Sequence, residues 1–176
     1  KENKFGIPSD SVFETYQYAA SLPNLDVVGI DCHIGSQLTE TQPFVDALER
    51  VIVMIEQLKE LGIHLKHIDI GGGLGVTYKD ETPPSVEEYA NALRPALEKL
   101  GLKVYMEPGR SISANAGVLL TKVDLLKPTS HRNFAIIDAA MNDLIRPALY
   151  EAWMDIQPVR PRTDVESKKW DVVGAI

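Results

Sequence analysis

Residues 67–75 read His-Ile-Asp-Ile-Gly-Gly-Gly-Leu-Gly, a short apolar run that leads into three consecutive glycines and a fourth two residues later. Glycine adopts backbone angles that are closed to other residues and has no side chain to keep a ligand at a distance. Such a loop can turn its N–H groups toward an anion, often a phosphate, although a tight turn that needs positive φ explains the same glycines. No Gly-Lys-Ser/Thr follows as in a Walker loop, and Val76 stands where the dinucleotide fingerprint needs its third glycine.

The segments on both sides of this loop alternate between apolar strands and amphipathic helices. In chain order the pattern predicts a helix that ends before Pro23, a strand at 25–34, a helix at 41–61, a strand at 65–70, a helix at 85–100 and a strand at 103–106. Ser11 with Glu14 and Ser85 with Glu88 have the spacing of capping boxes. Pro95 lies inside the third helix and is expected to kink or shorten it.

This alternation predicts an α/β fold with a parallel sheet. The residues of chemical interest follow the carboxyl ends of the strands, where a (β/α)8 barrel or an open α/β sheet has its active site. Three strands cannot close a barrel, so residues 1–111 are predicted to be the C-terminal part of a (β/α)8 TIM barrel, with the missing strands before residue 1. Strands at 118–126, 134–138 and 172–176, with a short helical or irregular segment at 144–153, predict an incomplete, mainly β domain at 112–176.

The composition is that of a folded chain with an acidic balance. Of 176 residues, 44% are hydrophobic and 24% charged, and the formal net charge is −7. This charge argues against nucleic acid or an anionic membrane as the main partner. Cys32 is the single cysteine, so no internal disulfide can form and a reducing, cytoplasmic location is expected. No signal peptide or membrane-spanning run is visible, and both ends read as if the sequence were a piece of a longer polypeptide.

Three groups of residues could carry chemistry. His33 follows the first strand, although a lone histidine there is more often structural. Glu107 and Arg110 flank a Pro-Gly corner after the third strand, which is either a turn with a surface ion pair or, beside a phosphate site, a place where the planar guanidinium binds an oxyanion. Arg146 and Tyr150 lie four residues apart, so on a helical turn they would share a face and could grip a carboxylate. No His/Cys cluster has zinc spacing, and no Gly-x-Ser-x-Gly elbow is present.

Taken together, five stretches resemble the fold-type III pyridoxal-phosphate decarboxylases of the alanine-racemase-like group. They occur in the family's order and cover nearly the whole chain: Lys4-Phe5-Gly6-Ile7, His33-Ile34-Gly35-Ser36-Gln37, Gly71-Gly72-Gly73-Leu74-Gly75, Glu107-Pro108-Gly109-Arg110 and Arg146-Pro147-Ala148-Leu149-Tyr150. The last stretch favours the branch that converts meso-2,6-diaminopimelate to L-lysine and CO₂ over the branches that act on ornithine or arginine.

The resemblance implies pyridoxal 5′-phosphate as the cofactor and assigns a role to each motif. His33 would stack on the pyridine ring, and Glu107 would pair with the ring nitrogen and keep it protonated. The cofactor phosphate would be held by Ser36, Gly72, Gly73 and Arg110. A carboxylate of the substrate would be bound by Arg146 and Tyr150, with Arg110 close to the substrate as well. The resemblance also implies a homodimer with shared active sites.

Three parts of the family's machinery are missing from the sequence: a lysine, a cysteine and a later tyrosine that binds the cofactor phosphate. The lysine that forms a Schiff base with the cofactor lies on the first barrel strand of the family, and Lys79, Lys122 and Lys127 do not occupy such a position. The cysteine that reaches the neighbouring subunit's site would follow Ile176. The chain by itself is therefore expected to be inactive. Two alternatives stay open: a decarboxylase of ornithine, arginine or carboxynorspermidine, and a non-catalytic homologue that binds a partner enzyme.

Overall fold

The computed structural model describes residues 4–175, and these fall into two compact units. The first unit comprises residues 4–76 and 82–114, and the second comprises residues 77–81 and 115–175. The sequence-based boundary between residues 111 and 112 stays a prediction of the domain organisation.

The first unit is an α/β structure with a parallel sheet. Its elements are α1 (Val12–Ser21), β1 (Gly29–Asp31), α2 (Gln42–Glu60), β2 (His67–Asp69), α3 (Val86–Leu100), β3 (Lys103–Tyr105) and α4 (Gly109–Ser113). The strand order is β1-β2-β3, and both neighbouring pairs are parallel. Because the strands run in one direction, their carboxyl ends meet at one edge of the sheet. The predicted α/β class and parallel sheet are confirmed, and the arrangement is that of a partial barrel.

The core of this unit lies between the sheet and one face of α2. The buried side chains of the helix recur at helical spacing and are Phe44, Leu48, Val51, Ile55 and Leu58. Leu58 is fully buried, and Ile68 of β2 is only 1% exposed. Phe44 meets Tyr89 of α3 edge to face, with ring centroids 4.9 Å apart, so the two long helices share one apolar layer with the sheet.

Helix α3 has the start and the end that the sequence predicts. The Ser85 hydroxyl accepts a bond from the Glu88 N–H, and the Glu88 carboxylate accepts one from the Ser85 N–H, which completes a capping box. Gly101 ends the helix with φ +68°, the left-handed conformation that suits glycine. Of the two effects expected at Pro95, the shortening is wrong, because the helix continues past it to Leu100, and the kink stays a prediction.

The capping box predicted at Ser11 is also wrong. Ser11 precedes α1, but its backbone is in the right-handed helical region and its side chain caps no N–H. Its hydroxyl instead donates to the carboxylate of Asp10. The same sequence spacing therefore gives a cap at Ser85, where the backbone is extended, and none at Ser11.

The strands of the first unit are shorter than the apolar runs that predict them. The run 25–34 gives only Gly29–Asp31, and the run 65–70 gives only His67–Asp69. After β1 the chain turns into a loop in which Gly35 has φ +138° and Gln37 has φ +60°. A regular strand cannot include such angles, so the ladder ends before them.

The second unit contains a mixed β-sheet and one short helix. Its elements are β4 (Val123–Pro128), β5 (Asn133–Ile137), α5 (Arg146–Tyr150) and β6 (Asp171–Val173). Strand β5 is central, antiparallel to β4 and parallel to β6. The predicted strand at 118–126 is wrong in its first half, since β4 begins at Val123.

Candidate functional site

The glycine loop leaves β2 in a conformation that depends on glycine. Gly71 has φ +65° and Gly73 has φ +108°, both in the region that other residues rarely adopt. The N–H of Gly71 donates to the Asp69 carboxylate at 2.8 Å, which ties the start of the loop to the end of the strand. Gly71 and Gly72 are buried, so the loop is part of the folded interior and not a surface excursion.

The neighbouring backbones leave no room for side chains on two of these glycines. A Cβ on Gly72 would overlap the carbonyl oxygen of Glu107, and a Cβ on Gly73 would overlap the carbonyl oxygen of Gly35. The loop therefore lies between the segment that follows β1 and the segment that follows β3. Backbone atoms cannot move aside as the end of a long side chain can, so both positions require glycine.

His33 contacts the loop directly through its ring. Its Nδ1 accepts a hydrogen bond from the N–H of Gly72 at 3.3 Å, although the residue as a whole is exposed. Three residues further on, Ser36 is an exposed residue between Gly35 and Gln37. The loop after β1 thus places an imidazole against the glycine loop and a serine two residues beyond Ile34.

Glu107 and Arg110 follow the third strand and lie beside the glycine loop. Together with His33, Gly72 and Gly73 they form a group called here the glycine-loop corner. The N–H of Glu107 donates to the carbonyl oxygen of Gly71 at 2.9 Å, and the Glu107 residue is exposed. Arg110 lies on α4, a short helix that the sequence pattern does not indicate. One guanidinium N–H of Arg110 donates to the side-chain oxygen of Gln37 at 3.1 Å. His33, Gly72, Gly73, Glu107 and Arg110 are thereby joined in one network of backbone and side-chain contacts.

Gln37 belongs to this corner, although the resemblance, which includes it in one of its five stretches, assigns it no role. Its side-chain amide donates to the carbonyl oxygen of Val76 at 2.6 Å and accepts from the N–H of Val76 at 3.1 Å. With Arg110 it makes a third bond, also through the amide oxygen. The partners are 39 and 73 residues away along the chain, a distance over which no local pattern can be read.

Arg146 and Tyr150 lie in the second unit, on α5. The guanidinium carbon of Arg146 is 5.3 Å from the ring centroid of Tyr150, as the four-residue spacing predicts, and 5.8 Å from that of Tyr78. Tyr78 is held by Glu81, whose carboxylate accepts from the Tyr78 and Lys79 N–H groups at 2.9 and 2.8 Å. These backbone bonds lower the pKa of Glu81, the bond from Lys79 most strongly.

The guanidinium of Arg146 has one buried atom that lacks a hydrogen bond. Among the residues that the structure describes, its Nε is the only buried side-chain nitrogen or oxygen without a hydrogen-bond partner. A buried donor without a partner is costly, and an incoming acceptor would remove that cost. The arrangement suits an anion that binds the guanidinium beside the two tyrosines.

Two other side chains that could act as nucleophiles, those of Lys122 and Cys32, have raised pKa values. Lys122 pairs with Asp124 at 2.9 Å, and this hydrogen bond, with the nearby carboxylate charges, raises the lysine pKa. Burial, and after it the charge of Asp31, raises the pKa of the Cys32 thiol, which therefore stays protonated and weakly nucleophilic. Within residues 4–175, no three His, Cys, Asp or Glu side chains gather in a way that could hold a metal ion. No helix in that range is long and apolar enough to cross a membrane.

Residues 1–114 match the family described as "Pyridoxal-dependent decarboxylase, pyridoxal binding domain". The chain belongs to this family. The matched range contains the whole glycine-loop corner, from His33 to Arg110. The predicted dependence on pyridoxal phosphate is confirmed by this membership.

Individual relatives agree with the family match. Diaminopimelate decarboxylase of Vibrio cholerae is 60% identical over 177 residues, an alignment that covers 100% of this chain and 42% of that protein. The crystal structure of diaminopimelate decarboxylase from Helicobacter pylori complexed with L-lysine superposes with a TM-score of 0.91 at 39% identity, covering 100% of this chain and 43% of that one. The structure of SrLDC in complex with PLP and cadaverine gives a TM-score of 0.77 at 27% identity over 86% of this chain and 40% of that one. The chain thus spans less than half the length of these relatives.

Proposed function

We propose that this chain forms part of the active site of a diaminopimelate decarboxylase, and that the whole protein converts meso-2,6-diaminopimelate to L-lysine and CO₂. The observation that carries the proposal is the convergence of His33, the glycine loop, Glu107 and Arg110 at the carboxyl ends of three adjacent parallel strands. The similarity to the Vibrio cholerae enzyme over the entire chain supports the choice of substrate.

The residues at this corner fit the cofactor. Gly72 and Gly73 let the loop pack closely against the segments after β1 and β3, and a glycine-rich loop of this kind can turn N–H groups toward a phosphate. Arg110 supplies a planar cation for the phosphate, and Ser36 supplies a hydroxyl. His33 lies against Gly72, where its imidazole can stack on a pyridine ring, and Glu107 provides a carboxylate for the ring nitrogen. When bound, pyridoxal phosphate supplies an electron sink for the pair of electrons that the departing CO₂ leaves behind.

The second unit supplies the substrate contacts in this proposal. Arg146 presents a guanidinium whose buried Nε lacks a hydrogen bond, and the Tyr150 ring lies beside it. A carboxylate of the substrate would accept from Arg146 and from the Tyr150 hydroxyl. Arg110 would contribute at the substrate as well as at the phosphate. Such charge-assisted bonds orient the amino acid so that the correct carboxylate is lost.

The remaining machinery is proposed to lie outside this chain. The lysine that binds the cofactor covalently and the cysteine that reaches the second active site would come from other parts of the whole protein. The relatives are more than twice as long as the aligned segment, which leaves room for both. This chain alone is therefore expected to have no decarboxylase activity.

The proposal includes a homodimer in the cytoplasm. Strand β4 supports the dimer, because its apolar residues Val123, Leu125 and Leu126 are each at least 50% exposed and would be covered in an assembly. The single cysteine, Cys32, supports the cytoplasmic location, since it is free and disulfides are typical of proteins in oxidising compartments.

The substrate can be tested by growth and by turnover. Expression of the whole protein should rescue a strain that requires lysine because it lacks diaminopimelate decarboxylase. The purified protein should release CO₂ from meso-diaminopimelate and not from ornithine, arginine or carboxynorspermidine. Failure to rescue, together with release of CO₂ from ornithine, would contradict the proposed substrate and favour a related decarboxylase.

Reduction with borohydride separates an enzyme from a non-catalytic homologue. Borohydride should fix pyridoxal phosphate covalently onto the whole protein, as detected by absorbance and mass. Residues 1–176 expressed alone should not be labelled, and they serve as the control. A whole protein that is folded but remains unlabelled would indicate a homologue that binds a partner enzyme and catalyses nothing.

A further inference from the structure

The side chain of Gln37 connects three segments that are far apart in sequence. Its amide oxygen accepts from the Val76 N–H and from Arg110, both at 3.1 Å, and its amide nitrogen donates to the Val76 carbonyl oxygen at 2.6 Å. Both ends of the amide are therefore used, and one oxygen serves two donors. A primary amide has both the donor and the acceptor capacity that this set of bonds needs.

The two bonds to Val76 fix the end of the glycine loop. They continue the backbone pairing in which Leu38 donates to the Gly73 carbonyl and Gly75 donates to the Leu38 carbonyl, both at 2.9 Å. Val76 is buried, so without Gln37 its two main-chain groups would need other partners away from water. The side chain of Gln37 thus holds the residue that follows the glycine loop, at the point where the backbone hydrogen bonds to Leu38 end.

The backbone of Gln37 has an unusual conformation that brings its side chain to this place. Its φ is +60°, and among the described residues Glu151 is the only other non-glycine with positive φ. The left-handed region is unfavourable for a residue with a long side chain and persists where surrounding contacts stabilise it. Here the contacts that stabilise it are the three bonds of the amide.

We propose that Gln37 is a positioning residue that holds Arg110 in register with the glycine loop, so that both meet the phosphate of the cofactor as one unit. This inference rests on the proposed function, since it concerns the same phosphate. The guanidinium of Arg110 lies on α4 and the loop follows β2, and Gln37 connects both through a single oxygen atom. A purely structural tie would involve Val76 alone and would not act through Arg110.

The main test is the affinity of the whole protein, freed of cofactor, for pyridoxal phosphate in a Gln37→Asn variant. Asparagine tolerates positive φ, so the backbone is kept, but its side chain is one methylene shorter and cannot reach both partners. We expect the dissociation constant to rise about tenfold or more, as for the loss of a hydrogen bond to a charged group. Gln42→Asn is the matched control, since Gln42 is an exposed glutamine on α2 whose side chain bonds its helix neighbour Asp46, and it should change the constant less than about twofold.

Two further measurements separate a positioning role from a structural one. Pyridoxal, which lacks the phosphate, should bind the Gln37→Asn variant as well as it binds the wild-type protein. In an Arg110→Met background the effect of Gln37→Asn on pyridoxal phosphate should shrink to less than about twofold, because the group through which Gln37 acts is gone. An equal fold change in both backgrounds, or an equal loss of pyridoxal affinity, would overturn the inference in favour of a simple loop tie.

The failure of this inference can be distinguished from failure of the proposed function. A folded wild-type protein that does not bind pyridoxal phosphate would overturn the proposed function and this inference together. A wild-type protein that binds the cofactor, with a folded Gln37→Asn variant that binds it equally well, would overturn this inference alone. Should Gln37→Asn not fold, Gln37→Gly removes the side chain while glycine adopts the φ of +60° without strain, and the same expected values apply to it.

Discussion

The glycine-loop corner and helix α5 hold their arginines in different ways. Arg110 is joined to Gln37, and through it to the main chain of Val76, by hydrogen bonds between segments from three strand ends. Arg146 lies close to the rings of Tyr78 and Tyr150, with its buried Nε lacking a hydrogen bond. The first arrangement suits a permanent ligand, because its polar groups are fixed in advance. The second suits a substrate that comes and goes, because the anion itself supplies the missing bond.

The largest effect is expected from Gly72→Ala, which would break the corner itself. The new Cβ would overlap the Glu107 carbonyl oxygen, and neither backbone can move without disturbing the bond from Glu107 to Gly71. Overpacking of this kind costs about 1–3 kcal/mol, so the affinity for pyridoxal phosphate should fall by up to about 100-fold. Titration of the folded variant with pyridoxal phosphate, followed by absorbance, measures this affinity.

Gly117→Ala is the control for this change. Gly117 is exposed, and a Cβ there would have nothing within 4 Å, so the variant should bind the cofactor normally. A Gly72→Ala protein with wild-type affinity would show that the close approach to Glu107 has no importance for the cofactor.

The next largest effect is expected at Arg146 and concerns the binding of the substrate, not the affinity for the cofactor. Arg146→Met removes the proposed anchor for a substrate carboxylate, and the loss of a charged hydrogen bond costs about 1.5–3 kcal/mol. KM for meso-diaminopimelate should rise about 30-fold, while the affinity for pyridoxal phosphate should stay within about twofold. Steady-state kinetics together with cofactor titration measure both.

Arg160→Met is matched to it, as an exposed arginine of the same unit, and KM should not change. A rise of the cofactor dissociation constant in Arg146→Met equal to the rise in KM would contradict the division of labour between the two arginines.

The smallest effect concerns how one helix of each unit is fixed at its start. Helix α3 begins with a capping box, whereas Ile145, the residue that precedes α5, provides no side-chain cap. The backbone and hydroxyl bonds from Ser85 lower the pKa of Glu88 below its ordinary 4.5. Because the folded pKa is depressed, its contribution is complete above about 4.5 and is lost as the pH falls through the folded value.

Glu88→Gln should therefore lower the melting temperature slightly at pH 7, and the difference from wild type should disappear at acid pH. Glu87→Gln, in the same first turn, is the control and lacks the bond to Ser85. A difference between Glu88→Gln and wild type that stays constant from pH 7 to pH 3 would mean that the carboxylate charge has no part in the cap.

Local patterns predicted those parts of the fold in which one segment decides its own structure. The periodic apolar residues of α2 and the cap of α3 are of this kind, and their ends agree with the structure within one or two residues. The failed cap at Ser11 shows the limit, because the side-chain spacing carries no information on the backbone angle of the cap residue. The strands were predicted too long for a related reason. A strand ends where its hydrogen bonds to the neighbouring strand end, and an apolar run in one segment does not show where that is.

The residues of the candidate site also fall into those that the sequence indicated and those that it did not. The family resemblance indicated His33, the glycines, Glu107 and Arg110, and the structure brings these residues together, while their roles stay predictions. Gln37 lies in one of the stretches that carry the resemblance but was given no role, since its bonds join residues 39 and 73 positions away, which no local pattern reveals. Tyr78 was missed because a ring beside a guanidinium becomes visible only once two distant segments are placed.

The bond between Gly72 and His33 has a consequence for the imidazole tautomer. Since the Gly72 N–H donates to Nδ1, that nitrogen must offer its lone pair, and a neutral ring then carries its proton on Nε2. His33 can therefore offer an N–H, but not a lone pair, to any group that meets its Nε2 edge. A glycine thereby determines, through its backbone alone, which hydrogen-bonding face the histidine presents, and the ¹⁵N chemical shifts of the ring would record that choice directly.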